Sequence, residues 1–220
     1  MQLIFFGVFG IIAIVAVIYS SIAARKRREG LFELAQRLNL NFDAEKDYGM
    51  AGRFSFLDQL EHGDSRYAYN VISGNYQQDN ILAFDYHYST GSGKNRQEHN
   101  LSFFILIMQG SLFPQITIRP EGFFDRVAEV FGSQDIKFES AEFSKAFCVR
   151  SPDKKFAYDV CNARMIEYLL ANRQLRVEIE NEVIALVFNT RIAVEQFEVN
   201  LQRLAQIRSL LPDYLFTQTT

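Results

Sequence analysis

Little in this sequence marks a linker, a repeat or a reactive centre. Four prolines and twelve glycines in 220 residues are too few for a low-complexity chain, and no segment recurs at a solenoid or propeller period. The two cysteines, Cys148 and Cys161, form no CxxC pair and have no histidine near them in sequence, so neither a thiolate nucleophile nor a zinc knuckle is indicated. Both sit among apolar residues, where a small buried thiol is commonplace. Serine-hydrolase elbows and HExxH metal motifs are also missing. Gly91-Ser92-Gly93-Lys94 fails as a phosphate loop, because Tyr88 and Asn95 stand where that loop needs Gly and Ser or Thr. Charge is missing too, in one place: residues 1–24 carry no ionised side chain.

What is present is a composition with 48% apolar and 22% charged residues, that of a folded protein. Leu3 to Ala24 is an unbroken apolar run, and 22 helical residues cover about 33 Å, enough for a ~30 Å hydrocarbon core. A cleaved signal peptide is the competing reading, through Ser21-Ile22-Ala23. The run is too long for a signal core, no basic residue precedes it, and Arg25, Lys26, Arg27 and Arg28 follow it. Residues 1–24 are therefore expected to be a single transmembrane helix and 25–28 a basic juxtamembrane flank. The flank acts as a stop-transfer signal or sits on lipid headgroups. The positive-inside rule places the N-terminus outside and the body, residues 29–220, in the cytoplasm, at the inner (plasma) membrane of a cell. A stripe of small residues, Gly10, Ala13, Ala16, Ser20 and Ala24, offers a surface on which two such helices could pair as a homodimer.

Without the basic flank, 19 basic residues face 26 acidic ones. Such a body repels phosphate backbones, which argues against nucleic acid as a partner.

The body reads as α+β, a mainly antiparallel sheet with flanking helices. Glu29 to Leu40 is an amphipathic helix. Strands are expected at Arg53–Leu57, Arg66–Ser73, Ile81–Tyr88, Leu101–Met108 and Gln115–Ile118 as a meander, with turns at Gly63-Asp64, Gly74-Asn75, Gly91-Ser92-Gly93 and Pro114. Further on come a helix from Pro120-Glu121 to about Phe131 and short strands at Ile136–Phe138 and Phe147–Arg150. A helix at Asn162–Asn172 follows, capped by Asn162, then a hairpin of Leu175–Ile179 and Val183–Phe188. A closing helix, about Ala193 to Leu211, carries the stripe Phe197, Leu201, Leu204, Ile207 and Leu211, more in keeping with core packing than with a coiled coil. A subdomain split near residue 134 is conceivable, although no linker marks it.

Phe84-Asp85-Tyr86-His87-Tyr88, together with Asn70-Val71-Ile72-Ser73-Gly74 and Leu112-Phe113-Pro114-Gln115-Ile116-Thr117-Ile118-Arg119-Pro120-Glu121, has a familiar layout. With Leu38-Asn39-Leu40-Asn41-Phe42 and Phe143-Ser144-Lys145-Ala146-Phe147, it resembles a group of uncharacterised bacterial single-pass membrane-anchored proteins with a Phe-Asp-Tyr-x-Tyr core. The resemblance implies a bacterial membrane protein and no particular activity.

In that core, strand alternation puts Phe84, Tyr86 and Tyr88 on one face and Asp85 with His87 on the other. If His99 faces His87 across the following hairpin, Asp85, His87 and His99 supply three ligands for a divalent metal, the pattern of a metal-dependent enzyme. A one-residue shift of register removes that site. Glu178, Glu180 and Glu182 read as a solvated strand face. The reading that needs fewest coincidences is a membrane-tethered interaction module with no cofactor and no catalytic centre. Its unknown protein partner would be met by the Ser89–Glu98 loop, through Lys94 and Arg96, and its other contact is the lipid bilayer. A lipid-headgroup-binding domain is the remaining alternative.

Overall fold

The computed structural model describes residues 2–122 and 135–216, the side chains of residues 2–13 and 16 excepted. The apolar run and the amphipathic segment after it form one continuous helix, α1 (Gln2–Arg37). Among the described residues no helix is long and apolar enough to cross a membrane. Much of the expected span, Leu3 to Ala13 and Ala16, consists of residues whose side chains lie outside the description.

The body is built on one eight-stranded sheet in which every pairing is antiparallel, in the order β1-β2-β3-β4-β8-β7-β5-β6. The strands are β1 (Asn41–Asp43), β2 (Asp64–Tyr76), β3 (Asp79–Thr90), β4 (Gln97–Ile107), β5 (Phe113–Pro120), β6 (Phe147–Arg150), β7 (Val177–Asn181) and β8 (Val183–Phe188). The expected meander holds for β2, β3 and β4 and then breaks. β4 pairs next with β8, so the C-terminal hairpin is inserted between β4 and β5, and strands from both sides of residue 134 share the sheet.

Several local expectations are corrected. Residues 53–57 form no strand: Arg53 ends a short helix, α2 (Met50–Arg53), and 54–57 follow it, in a segment whose Met50, Phe54, Leu57 and Leu60 are buried. Gly74-Asn75 is no turn, since β2 runs on to a two-residue turn at Gln77-Gln78, both at positive φ (49° and 75°). Gly74, at φ 141°, lies inside β2 where a Cβ would come within 3.1 Å of the Leu40 side chain, so its lack of a side chain admits the end of the α1 segment. Pro114 is the second residue of β5, and Ile136–Phe138 is irregular chain tied by the Ile136 amide to the Val149 carbonyl. The helix expected to about Phe131 lies outside the described residues from 123 onward, as does the tail 217–220.

Three further helices flank the later strands: α3 (Ala141–Ala146), α4 (Lys154–Val160) and α5 (Ala163–Ala171). Asn162 caps α5 as expected, accepting bonds from the Arg164 and Met165 amides. The last helix, α6 (Phe197–Leu210), buries Phe197, Leu201, Leu204 and Ile207 in the core.

The sheet buries both faces. One face packs Ile72, Ile81, Phe104, Leu106, Ile184 and Leu186 against Leu31 and Leu34 of α1 and the apolar stripe of α6. On the other, Phe84, Tyr86, Phe103 and Ile105 lie under the α2 segment, with the Phe84 and Phe103 rings stacked at 5.3 Å. Burial on both sides explains why β4, from Phe103 to Leu106, reads as a continuous apolar run rather than an alternating one.

Candidate functional site

The expected alternation on β3 is observed: Ile81, Ala83 and Asp85 face α1 and α6, and Phe84 and Tyr86 face the second layer. Asp85 is therefore a carboxylate buried beneath a helix, with no exposed surface. A charge so placed is stable only if paired and hydrogen-bonded. The partner is Arg27, from the basic flank. Its Nε and Nη2 donate to the two Asp85 carboxylate oxygens, each at 2.7 Å, and its Nη1 donates to the Ile192 carbonyl at 2.7 Å. The two remaining acceptor positions are filled by Asn70 Nδ2 and Ser102 Oγ, each at 3.0 Å. Ser102 Oγ in turn accepts from the Ile192 amide at 3.2 Å, and the Arg27 guanidinium lies 5.4 Å from the Phe197 ring centre. Asn70 takes part because β2 bulges between Tyr69 and Ile72, with Asn70 at φ 52°, a conformation Asn tolerates.

This network corrects two expectations. Arg27 does not reach out with Arg25, Lys26 and Arg28, since its side chain is only 13% exposed and clamps α1 to the sheet. Arg25 stays on the helix surface, bonded to Glu29 at 2.7 Å, a contact that raises its pKa above the usual arginine value. Asp85 is not available as a metal ligand, because its lone pairs are engaged by arginine, asparagine and serine.

The other two proposed ligands are not brought to it. β3 pairs with β4 so that His87 faces Asn100 while His99 faces Tyr88, a one-residue offset that puts the two imidazoles on opposite faces. His87 stacks on Tyr67 at 4.6 Å, with Nε2 2.9 Å from Glu98 Oε2. His99 stacks on Tyr88 at 4.6 Å, with Nε2 2.9 Å from Thr90 Oγ1. Among the described residues no group of three or more His, Cys, Asp or Glu side chains could hold a metal ion.

Charge is also buried on the second face, against the expectation of a solvated glutamate row. Arg176 Nε donates to Glu178 Oε1 at 2.8 Å, and both side chains are buried. Burial, with Asp58 and Glu178 nearby, pushes the Glu180 carboxyl up. Burial raises both thiols as well, that of Cys148 helped by its bond to Asp135, so neither is a ready nucleophile. A cleft of about 470 Å³ beside the Gln77-Gln78 turn is lined by Asn75, Gln78, Asp79, Asn80, Gln109 and Arg208 among others, with no histidine, cysteine or serine among the described residues that line it. Arg208 and Asp79 pair across it at 3.2 Å.

The expected Ser89–Glu98 loop is shorter in the structure: Ser89 and Thr90 end β3, Gln97 and Glu98 open β4, Ser89 is buried, and the exposed hairpin tip is Gly91–Arg96, with a single 3-10 turn at Gly93–Asn95. Lys94 is exposed, and Arg96 bonds Glu98 Oε1 at 2.6 Å and Ser65 Oγ at 3.2 Å. Beside this end of the sheet, Tyr67 carries an aromatic cluster missed from the sequence. Tyr48 and Tyr69 lie 5.7 Å away on either side, and Lys46 Nζ stands 4.1 Å from the ring centre. The alternation of Tyr67 and Tyr69 on β2 was the available signal, but Lys46 and Tyr48 reach them from a loop that no period describes.

The other exposed feature is the flank of α1, within the run that the sequence reads as a membrane span. From Val17 to Lys26 every side chain is exposed, among them Val17, Ile18, Tyr19 and Ile22, and Ile14 and Val15 continue the surface. The helix leaves the body at Arg27 and carries bare apolar surface beyond it.

No family model matches the chain, and no curated protein sequence does. Among solved structures, the chain is similar to the crystal structure of the mycobacterial trehalose monomycolate transport factor A, TtfA, with a TM-score of 0.60 at 14% identity, covering 86% of this chain and 96% of that one. The likeness is one of fold, an α+β body on an antiparallel sheet.

Proposed function

We propose that this protein is a membrane-tethered accessory module of bacterial envelope lipid transport, which binds other proteins and performs no chemistry itself. The observation that carries the tether is the helix that projects past Arg27 with Ile14, Val15, Val17, Ile18 and Ile22 bare. A stretch of large aliphatic side chains in water is rare unless a membrane or a partner covers it. The uncharged run from Leu3 to Ala24 is long enough for a bilayer to be that cover, with Tyr19 to Ser21 at its interface. The basic flank orients the body toward the cytoplasm. Support for an accessory role in transport comes from the fold likeness to a transport factor. A tether of this kind raises the body's effective concentration around membrane partners, and the Arg27–Asp85 clamp transmits the helix's orientation to the sheet.

The test is alkaline carbonate extraction of membranes from cells expressing the full chain, beside a variant with Val15→Glu and Ile18→Lys. Retention of the native chain and release of the variant are expected, and release of the native chain would sink the tether. Orientation is read separately with an impermeant maleimide on Lys155→Cys, which should react only after lysis. Crosslinking in cells then tests the accessory role: reproducible capture of transport-machinery components is expected, and their absence would count against it.

A further inference from the structure

The course of α1 over the sheet determines which end of the body meets the bilayer. Leu40, just past its C-terminus, lies against Gly74, which pairs with Ile81, whereas Arg27 lies on Asp85. β3 therefore runs antiparallel to α1, and its C-terminal end points the way α1 leaves the body. Past Asp85 the strand continues five residues to Thr90, about 17 Å at ~3.3 Å per residue, before the hairpin tip. Along α1, at ~1.5 Å per residue, that distance is about eleven residues upstream of Arg27, and about eight with the usual oblique crossing of a helix over a sheet, so the tip stands level with the α1 residues around Tyr19, at the interfacial end of the apolar run. The tip cannot lie far from the headgroups when α1 spans the membrane.

The chemistry of this end suits that position. Tyr67 pairs with His87 two residues beyond Asp85, and Tyr48, 68% exposed, stands beside it with Lys46 over the ring. Tyrosine presents an apolar body and a polar tip, the side chain enriched at membrane interfaces. Lys26, Arg28, Lys46, Lys94 and Arg191 form no ion pair among the described residues, although Glu98 and Asp47 neutralise Arg96 and Arg53. Cations near an anionic leaflet each add favourable electrostatic free energy.

We infer that this end of the sheet, the Gly91–Arg96 tip with Lys94 and the adjacent Lys46, Tyr48 and Tyr67, is a second membrane contact that seats the body on anionic lipid headgroups. The inference rests on the tether proposed above and adds to it a fixed footprint. The Arg27–Asp85 clamp holds the tip and helix in one rigid relation, so the body lies against the leaflet and does not swing on a flexible stalk. The opposite end of the sheet, at Gln109, then faces away from the membrane and is left open to partners.

The full chain is reconstituted in nanodiscs containing phosphatidylglycerol, with a fluorophore on Asn95→Cys or Gln109→Cys and a quencher carried on lipid headgroups. Quenching several-fold stronger at position 95 than at 109 is expected, together with a clear fall when Lys46→Glu and Lys94→Glu are introduced or the discs are made of phosphatidylcholine alone. Equal quenching at the two positions in chains that have incorporated overturns the seat and leaves the tether standing. Strong quenching at 95 that ignores both charge reversal and lipid charge overturns the headgroup contact. A chain that floats free of the discs overturns the tether and the seat with it.

Discussion

Asp85 shows how burial reassigns a residue that strand alternation has already placed on the right face. An acidic side chain between Phe84 and Tyr86 invites either a ligand role or a solvent-facing one, yet full burial leaves room only for a paired charge. Asp85→Asn leaves the Arg27 guanidinium without its counter-charge and should lower stability by about 3–5 kcal/mol, read as a urea midpoint of the full chain in detergent. An apolar replacement of both partners, Arg27→Met with Asp85→Leu, should recover most of that loss. A cost for Asp85→Asn of well under about 1 kcal/mol would show that the clamp is not formed. Tyr86, wholly buried, donates its hydroxyl to the Leu60 carbonyl at 2.7 Å and ties the second layer to the sheet. Burial pushes its phenol up to about 12, so ultraviolet titration should leave this tyrosine protonated at about pH 11. Tyr86→Phe leaves the Leu60 carbonyl without its donor and should cost about 1 kcal/mol by thermal unfolding.

The elements legible in the sequence are those whose signal is local. β8 at Val183–Phe188 and β6 at Phe147–Arg150 are legible residue for residue, because a short run of β-branched and aromatic residues between turn signals reads most readily as a strand. Asn162 announces α5 through its cap. Residues 53–57 read as a strand because they alternate apolar and polar side chains, but they are spent on a second layer, where the segment's buried residues cover Phe84 and Phe103 and no ladder partner is needed. The turn at Gln77-Gln78 is illegible because neither residue favours positive φ, while Gly74 just upstream looks like the better turn residue and serves the Leu40 contact instead. Among the described glycines, Gly63 has the tightest constraint. At φ 64°, a Cβ added there would collide with the Ser89 backbone oxygen. Gly63→Ala should therefore shift the β2–β3 pairing at that end and lower the melting temperature far more than Gly52→Ala, whose site is open. A similar small effect at both positions in a melting scan would argue against this close approach.

On the scale of the whole molecule, an eight-stranded sheet buried on both faces has to accommodate charge inside, and it does so unevenly. Asp85 is matched by arginine, whereas Glu180 lies near Asp58 and Glu178, and its carboxyl sits above the usual glutamate value because burial and like charge disfavour ionisation. A group raised on folding contributes stability below its unfolded pKa and loses it as pH rises through the folded value. Stability should therefore decline from about pH 4.5 upward through this residue, and Glu180→Gln should flatten that decline, as urea midpoints at about pH 4.5 and 7.5 would show. A decline as steep in the variant would remove Glu180 as its source. Composition and periodicity alone determined the α+β class, the face assignment along β3, the core-facing stripe of α6, and the apolar run with its basic flank. These depend on short-range sterics and on which side chains water rejects, both written locally in the chain. Only the tertiary structure decided that β8 inserts beside β4, that His99 falls one residue out of register with His87, and that Arg27 turns inward to a carboxylate 58 residues away. Pairing between distant segments is selected by the summed fit of a whole buried face, and no local pattern encodes that sum.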